Sequence, residues 1–220
     1  MEKFIYPFLS GLPQALLTTV LISSAACVLG VLLGIVLLIT RTSAWAPFRY
    51  LVVIYVSAMR GIPLLIQLLV VYYAIPAMLD ISISPIAAGI IAMAMNTSAY
   101  ISEVLRGVLS SIPVGQRAAA FSLGMNRWQT WQRIILPQIF LRALPPLTNE
   151  FTVMFKASSL LSIIAVSELS TLARNVNLQT NAPLEVFTVS AAIYFVMLYT
   201  LSTISRRIEH RVKARVGRHD

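Results

Sequence analysis

Long uncharged stretches dominate the pattern of hydrophobic and polar positions along this chain. No charged side chain occurs in residues 4–40, 81–102 or 186–205. A helix needs about 20 mostly apolar residues to cross a hydrocarbon core about 30 Å thick, and each of these stretches is long enough. The pattern therefore predicts an all-α integral membrane protein.

The same pattern predicts about five membrane-crossing helices. We place them at about residues 16–40, 63–76, 84–105, 144–166 and 186–205, with a short hydrophobic segment at 51–59 before the second. A helix break is expected at Arg60-Gly61-Ile62-Pro63, because proline removes a backbone donor. We expect an external turn at Asp80 and a polar external loop at 167–185. The small residues Gly30 and Gly34 predict a close helix contact.

Composition and charge agree with a membrane location. Hydrophobic residues make up 58% of the chain and charged residues only 11%, whereas soluble domains carry about 25% charged residues. The formal net charge of +9 indicates membrane topology before it indicates nucleic-acid binding, because Lys and Arg accumulate in cytoplasmic loops. We therefore expect no nucleic-acid partner.

The distribution of basic residues predicts the orientation of the chain. Thirteen of the 17 Lys and Arg residues fall on one predicted side, Lys3 and Arg174 on the other, and Arg60 and Lys156 at membrane depth. This bias predicts an outside N-terminus and an inside C-terminus. We expect a single transmembrane domain over residues 1–220, with a cytoplasmic loop at about 107–142 and a basic tail at about 206–220.

The cytoplasmic loop carries a pattern that topology alone does not explain. Residues 118–123 can form a helix, Gly124 is a natural helix terminator, and Asn126 can cap a helix that contains Trp128 and Trp131. Two short helices joined at a glycine form a compact knob that fits a groove on another protein. The alternative is an interfacial amphipathic helix, with its tryptophans in the headgroup layer and its arginines on phosphates.

Four spaced motifs occur in order along the chain. They are Arg60, Gly61, Pro63 and Gln67; then Asn96, Ala99, Tyr100 and Glu103; then Gly115, Gln116, Ala119, Ala120, Leu123 and Gly124, followed by Ile134, Leu136 and Pro137; and last Leu144, Pro145, Pro146 and Asn149. In these motifs the chain resembles the permease subunits of ATP-binding-cassette importers, and among them the polar amino-acid uptake permeases. The third motif is similar to their cytoplasmic signature, approximately G-Q-x-E-A-A-x-x-L-G.

The resemblance implies a type I importer fold whose cytoplasmic coupling helix docks on an ATPase. The coupling residues it implies are Gly115, Gln116, Ala119, Ala120, Leu123, Gly124, Arg127, Trp128 and Pro137. The implied partners are an ATPase subunit dimer, a second permease subunit that is identical or homologous, a periplasmic or extracellular substrate-binding protein, and membrane lipid. The ATPase would bind ATP and Mg²⁺, so we expect no cofactor in this multi-pass chain of the bacterial inner membrane.

Two positions depart from the family pattern. Ala118 replaces the glutamate of the signature, so one charged contact that braces or docks the coupling helix is missing. Ala157 stands where many relatives have an aspartate after the lysine, in a segment that here reads Lys156-Ala157-Ser158-Ser159-Leu160. That aspartate is a candidate substrate contact in those relatives, so its absence weakens a simple transfer of their substrate site.

Polar side chains at membrane depth are costly and often functional. The expected substrate path contains Asn96, Glu103, Asn149, Glu150, Ser158 and Ser159. Structural or gating roles are expected for Arg60, Pro63 and Gln67 at the helix break. Glu150 has no opposite charge three or four residues later, and such a carboxylate suits a basic amino acid as substrate.

Each of these residues also has a plainer alternative. Arg60 can reach the headgroups from an interfacial position, or pair with Glu150. Glu103 and Arg106 lie three residues apart, so a local ion pair is the default interpretation. Ser158 and Ser159 can simply pack between helices.

Enzymatic chemistry is not expected in this chain. The sequence has no G-x-x-x-x-G-K-[ST] phosphate loop, no metal-ligand spacing and no nucleophile with a base. The alternative function is an ATP-independent channel or ion-coupled carrier. Such a protein would need an intramembrane relay of acids, for which only Glu103 and Glu150 are available.

Overall fold

A computed structural model describes residues 2–42 and 45–216, and all regular structure in these ranges is helical. The helices are α1 (Glu2–Arg41), α2 (Ala46–Gly61), α3 (Leu64–Leu79), α4 (Pro85–Ser110), α5 (Val114–Ser122), α6 (Arg127–Ile164), α7 (Leu169–Thr180) and α8 (Pro183–Val216). The helices α1, α4 and α8 are long and apolar enough to cross a membrane. The bent pairs α2–α3 and α6–α7 raise the number of spans to as many as five, in agreement with the predicted number.

Helices α1 and α4 pack side by side and run in the same direction. A Cβ atom on Gly30 would lie 2.6 Å from Thr97, and one on Gly34 would lie 2.7 Å from Ile101. Only residues without a side chain permit this approach, so the predicted close contact at the two glycines is confirmed. The central core joins residues of these two helices to α3 and α6, including Ile22, Ala26, Leu68, Met93 and Phe155.

The predicted helix break between α2 and α3 is confirmed. Helix α2 ends at Gly61, Pro63 precedes the first turn of α3, and the two helices meet at an angle of 109°. Helix α3 continues past the predicted end at Pro76 as far as Leu79. The chain then turns at Asp80, which has a left-handed φ of 50°.

Two of the prolines inside helices each lie just after a π-helical turn. The turn Val70–Ala74 precedes Pro76 in α3, and the turn Trp131–Ile135 precedes Pro137 in α6. Proline lacks the amide hydrogen of an α-helical bond, and its ring crowds the carbonyl one turn earlier. The wider π turn relieves that crowding, so both helices continue without a sharp break.

Two sequence expectations about helix boundaries are wrong. The loop helix and the fourth crossing, predicted to be separate with the crossing beginning near residue 144, form the single helix α6. Pro145 and Pro146 lie inside α6 because the fixed φ of proline is compatible with a helix. The predicted external loop at 167–185 contains helix α7, which a carboxylate caps at Glu168. 

Both terminal helices are longer than the sequence pattern predicted. Helix α1 begins at Glu2 and not near residue 16, and it contains Pro7 and Pro13. Helix α8 continues through most of the predicted basic tail to Val216, whereas residues 217–220 lie outside the described residues. An apolar stretch predicts the part of a helix that lies in the membrane, and the helix itself can be longer than that part.

Candidate functional site

The break between α2 and α3 is closed by two buried side-chain amides. Gln67 donates from Nε2 to the carbonyl oxygens of Met59 and Ile62, both at 2.8 Å. Asn96 of α4 donates from Nδ2 to the same Met59 oxygen at 3.1 Å. Because the break frees backbone carbonyls at membrane depth, these amides replace the bonds that a continuous helix would make. Asn96 and Gln67 therefore fix the geometry of the break.

The break directs Arg60 towards groups on two other helices. Its guanidinium carbon lies 5.4 Å from the centre of the Tyr100 ring, and its Nη1 lies 3.8 Å from Glu103 Oε2. It also interacts electrostatically with Glu150 of α6. Arg60 therefore contacts one carboxylate on α4 and lies within electrostatic range of a second on α6, with which it forms no ion pair.

Glu103 is the centre of an arginine cluster. Arg106 donates to Glu103 Oε2 from Nε at 3.1 Å and from Nη2 at 2.5 Å, which confirms the local pair that the sequence predicted. Arg41, the last residue of α1, also binds Glu103, and Arg60 lies at the edge of the cluster. The sequence analysis missed Arg41, because spacing along one helix carries no information about which end of another helix lies beside it.

Glu150 differs from Glu103 in having no direct partner. Within the described part of the chain its half-buried carboxylate makes no hydrogen bond or ion pair that would neutralise it. The neighbouring Asn149 is exposed. A carboxylate without a direct partner on a membrane helix is available to a ligand cation.

The two predicted path serines bond to their own helix. The hydroxyl of Ser158 donates to the carbonyl of Phe155 at 2.8 Å, and that of Ser159 donates to the carbonyl of Lys156 at 2.9 Å. Ser158 is fully buried, whereas Ser159 is partly accessible. Of the pair, Ser159 is the one placed to meet a molecule outside the core.

The segment of the third motif forms the predicted helix–glycine–helix turn. Gly124 follows the end of α5 with φ of 76°. The amide of Met125 donates to the carbonyl of Ala120 at 3.1 Å, and that of Gly124 donates to the carbonyl of Phe121 at 3.0 Å. This pair of bonds is a Schellman motif, which needs a left-handed residue at the glycine position. The next helix begins with a reciprocal capping box between Asn126 and Gln129, as the predicted cap at Asn126 requires.

The turn presents apolar side chains to its surroundings. Leu123 is 82% exposed, Trp128 is 68% exposed, and Arg127, next to Trp128 in the sequence, is also exposed. Of the other signature residues, Ala120 is buried, whereas Gly115 and Ala119 are exposed. The exposed large groups are grouped around one rigid turn, which is the arrangement that a protein-docking surface requires.

The knob is also held firmly to the membrane helices. Gln138 donates from Nε2 to Gln116 Oε1 at 2.7 Å, which ties α5 to α6. Arg117 lies over the Trp131 ring, 6.0 Å from its centre. Pro137 follows the π turn through which this segment continues into the membrane part of α6. Displacement of the turn would therefore move α6 with it.

A buried polar cluster around Glu168 was missed by the sequence analysis. The fully buried Glu168 carboxylate accepts hydrogen bonds from the amides of Ser170 and Thr171, at 2.9 and 2.8 Å, and from the Tyr194 hydroxyl at 2.8 Å. Thr19 of α1 accepts from the amide of Leu169 at 3.2 Å. The cluster joins α7 to α8 and α1. The sequence carries little indication of it, because Glu168 occupies an N-cap position that usually holds Ser, Thr, Asp or Asn.

Comparison with known proteins gives consistent matches over nearly the whole chain. Residues 26–217 match the family described as binding-protein-dependent transport system inner membrane component. The L-cystine transport system permease protein TcyB of Bacillus subtilis is 33% identical over 99% of this chain and 92% of its own length. The glutamine transport system permease protein GlnP of Escherichia coli K12 is 32% identical over 95% and 96%, respectively. The arginine transport system permease protein ArtQ of B. subtilis is 30% identical over 91% and 92%.

Solved structures agree with the sequence matches. The crystal structure of an amino acid ABC transporter with histidines contains a chain that is 34% identical, with a TM-score of 0.86 over 95% of both chains. A chain of the MetNI methionine ABC transporter in an inward-facing conformation has a TM-score of 0.74 at 19% identity, over 96% of this chain and 99% of its own. The second likeness concerns the fold alone.

Proposed function

Because the chain belongs to the family of binding-protein-dependent transport system inner membrane components, and is a permease subunit of an amino-acid ABC importer, we propose that Glu150 lines its substrate path and favours a basic amino acid. The observation that carries this proposal is the half-buried Glu150 carboxylate, which has no direct partner among the described residues and lies within electrostatic reach of Arg60.

The chemistry of this pair matches that of an amino acid. A carboxylate accepts charge-assisted hydrogen bonds from an ammonium or guanidinium group, and a guanidinium binds a carboxylate. Glu150 is therefore the group that recognises the cationic end of the substrate. Arg60, in the last turn of α2 at the helix break, is available for its carboxylate. Asn149 and Ser159, both accessible, supply polar contacts along the same route.

Transport requires energy from a separate chain, and the turn at Gly124 is the proposed contact for it. Leu123 and Trp128 enter a groove of the ATPase subunit, which binds ATP and Mg²⁺. Two permease subunits, identical or homologous, enclose the path, and an external binding protein delivers the substrate. Closure of the ATPase dimer pushes α5 and α6, and the permease alternates between inward-facing and outward-facing states.

The function is tested by uptake into vesicles that contain the reconstituted importer. The permease, its ATPase and its binding protein are assayed with a panel of labelled amino acids, with and without ATP. We expect uptake of basic amino acids only when ATP is present. Uptake that continues in fully ATP-depleted vesicles would instead establish the channel or ion-coupled carrier.

The role of Glu150 is tested by the substitution Glu150→Gln. Loss of the negative charge removes a charge-assisted hydrogen bond of about 1.5–3 kcal/mol, so uptake of basic amino acids should fall roughly ten- to hundredfold, and that of neutral ones much less. The matched control is Glu185→Gln, which removes an exposed carboxylate at the start of α8. Equal losses for basic and neutral substrates would remove Glu150 from the substrate site.

A further inference from the structure

A cavity of about 410 Å³ opens where α1 ends, against α2 and α4. Its walls include the apolar side chains of Leu38, Val53 and Leu109, together with the ring of Tyr50. None of the residues that line this cavity belongs to the turn at Gly124 or to the part of α6 that carries Glu150. It is a separate feature of the molecule, with a largely apolar interior.

Basic side chains line the same cavity. Arg41, Arg49 and Arg106 come from three different elements: the end of α1, the first turn of α2 and the last part of α4. Arg41 and Arg106 also bind Glu103, whose charge they share with Arg60. Glu103 is therefore shared by three guanidinium groups, Arg49 adds a further positive charge to the cavity lining, and the cavity has excess positive charge. No acidic side chain is among the described residues that line the cavity, and none occurs in the sequence between Glu2 and Asp80.

The cavity lies at a boundary between apolar and polar surroundings. Arg41 is the first charged residue after Lys3, so it marks the end of the long uncharged part of α1. Tyr50 is 63% exposed and Trp45 is 65% exposed, and both belong to the start of α2 or the residue before it. Exposed Tyr and Trp side chains are typical of the headgroup level of a membrane. This holds whichever side of the membrane the end of α1 faces.

We propose that this cavity binds an anionic phospholipid. The headgroup phosphate lies between the guanidinium groups of Arg41, Arg49 and Arg106, and the upper part of an acyl chain packs on Leu38, Val53 and Leu109. Basic pockets between transmembrane helices are suited to anionic headgroups. Free phosphate would leave the apolar walls uncovered, whereas a lipid satisfies both the charge and the walls. Because Arg41 and Arg106 also hold Glu103, the lipid reinforces the contact of α1 with α4.

The test uses the purified full importer in detergent and measures retained phosphatidylglycerol by native mass spectrometry. Arg49→Ala is the informative variant, because Arg49 lines the cavity without binding Glu103. Removing one basic residue near a phosphate should weaken binding about fivefold. Arg207→Ala, which removes an exposed charge from α8, should retain the lipid as the wild type does. Equal retention in the wild type and Arg49→Ala would overturn the proposal.

A second variant separates binding in the cavity from general attraction to a basic surface. Val53→Trp fills the apolar wall and keeps every arginine, so it should also lose phosphatidylglycerol. Phosphatidylcholine should not replace phosphatidylglycerol in the wild type, and millimolar inorganic phosphate should not displace it. Displacement by inorganic phosphate, or full retention by Val53→Trp, would show that the cavity is not a phospholipid site.

Discussion

At the scale of single residues, conformation and charge pairing differ in how far they can be read from the sequence. Gly124 and Asn126 act on their own backbone, so a terminator and a cap could be predicted from the residue types alone. Arg41 and Glu103 are 62 positions apart, and their pairing depends on how two helices pack. No local pattern contains that information.

One prediction at this scale concerns the turn at Gly124. A Cβ atom on Gly124 would meet nothing within 4 Å, so Gly124→Ala changes only the cost of the left-handed φ of 76°. That cost is about 1–2 kcal/mol for an L residue. We expect Gly124→Ala to lower the amount of substrate imported per ATP hydrolysed, measured in vesicles containing the full importer.

The matched control for Gly124→Ala is Gly124→Asn. Asparagine tolerates the left-handed conformation better than alanine, so its import per ATP should lie closer to that of the wild type. Identical coupling in all three proteins would mean that the rigidity of the turn is unimportant.

At the scale of elements, the hydrophobic pattern located helices better than it located their ends. It identified the apolar parts of α1, α4 and α8 and the break at Pro63. It divided α6 near Leu144, because the charged stretch ends at Arg142 and a hydrophobic segment begins there. It missed α7, because the amphipathic sequence of this helix resembles a polar loop. In the structure Glu168 caps the helix and α8 packs on it. Tertiary packing decided these two elements.

One prediction at the scale of elements concerns the contact of α1 with α4. A Cβ atom on Gly34 would lie 2.7 Å from Ile101 Cγ2 and 3.1 Å from the backbone oxygen of Ser98. A β-branched side chain and a backbone atom have little freedom to move away. Gly34→Ala should therefore destabilise the protein by about 1–3 kcal/mol through overpacking. The measurement is the midpoint of thermal unfolding of the purified importer in detergent.

The control is Gly107→Ala on α4, where a Cβ atom would meet nothing within 4 Å. Alanine is the better helix former, so this variant should be as stable as the wild type or slightly more so. If Gly34→Ala is no less stable than Gly107→Ala, then the close approach of α1 and α4 contributes nothing to stability.

At the scale of the whole molecule, the side of the membrane that each helix end faces is a prediction from the distribution of charge. The distribution of Lys and Arg predicts that α4 begins outside and ends inside. Ser82 lies just before this helix and Ser110 is its last residue, and both are exposed. They mark opposite ends of a helix of 26 residues.

Cysteine labelling with a membrane-impermeant thiol reagent tests this orientation in intact cells. Ser82→Cys should react from outside, whereas Ser110→Cys should react only after the membrane is permeabilised. The wild type is the control, because its native Cys27 is buried. Labelling of Ser110→Cys in intact cells would reverse the proposed orientation.

The sequence by itself determined that the protein lies in a membrane. It also determined the position of the helix break and that of the glycine turn. These properties depend on hydrophobicity and on backbone preferences, which act over a few neighbouring positions. Only the tertiary structure decided that Asn96 and Gln67 close the break and that three arginines gather around one carboxylate. The same holds for Glu150, which is left without a direct partner in the described chain. Such facts depend on distances between helices that are far apart in sequence, and those distances are set by packing of the whole molecule.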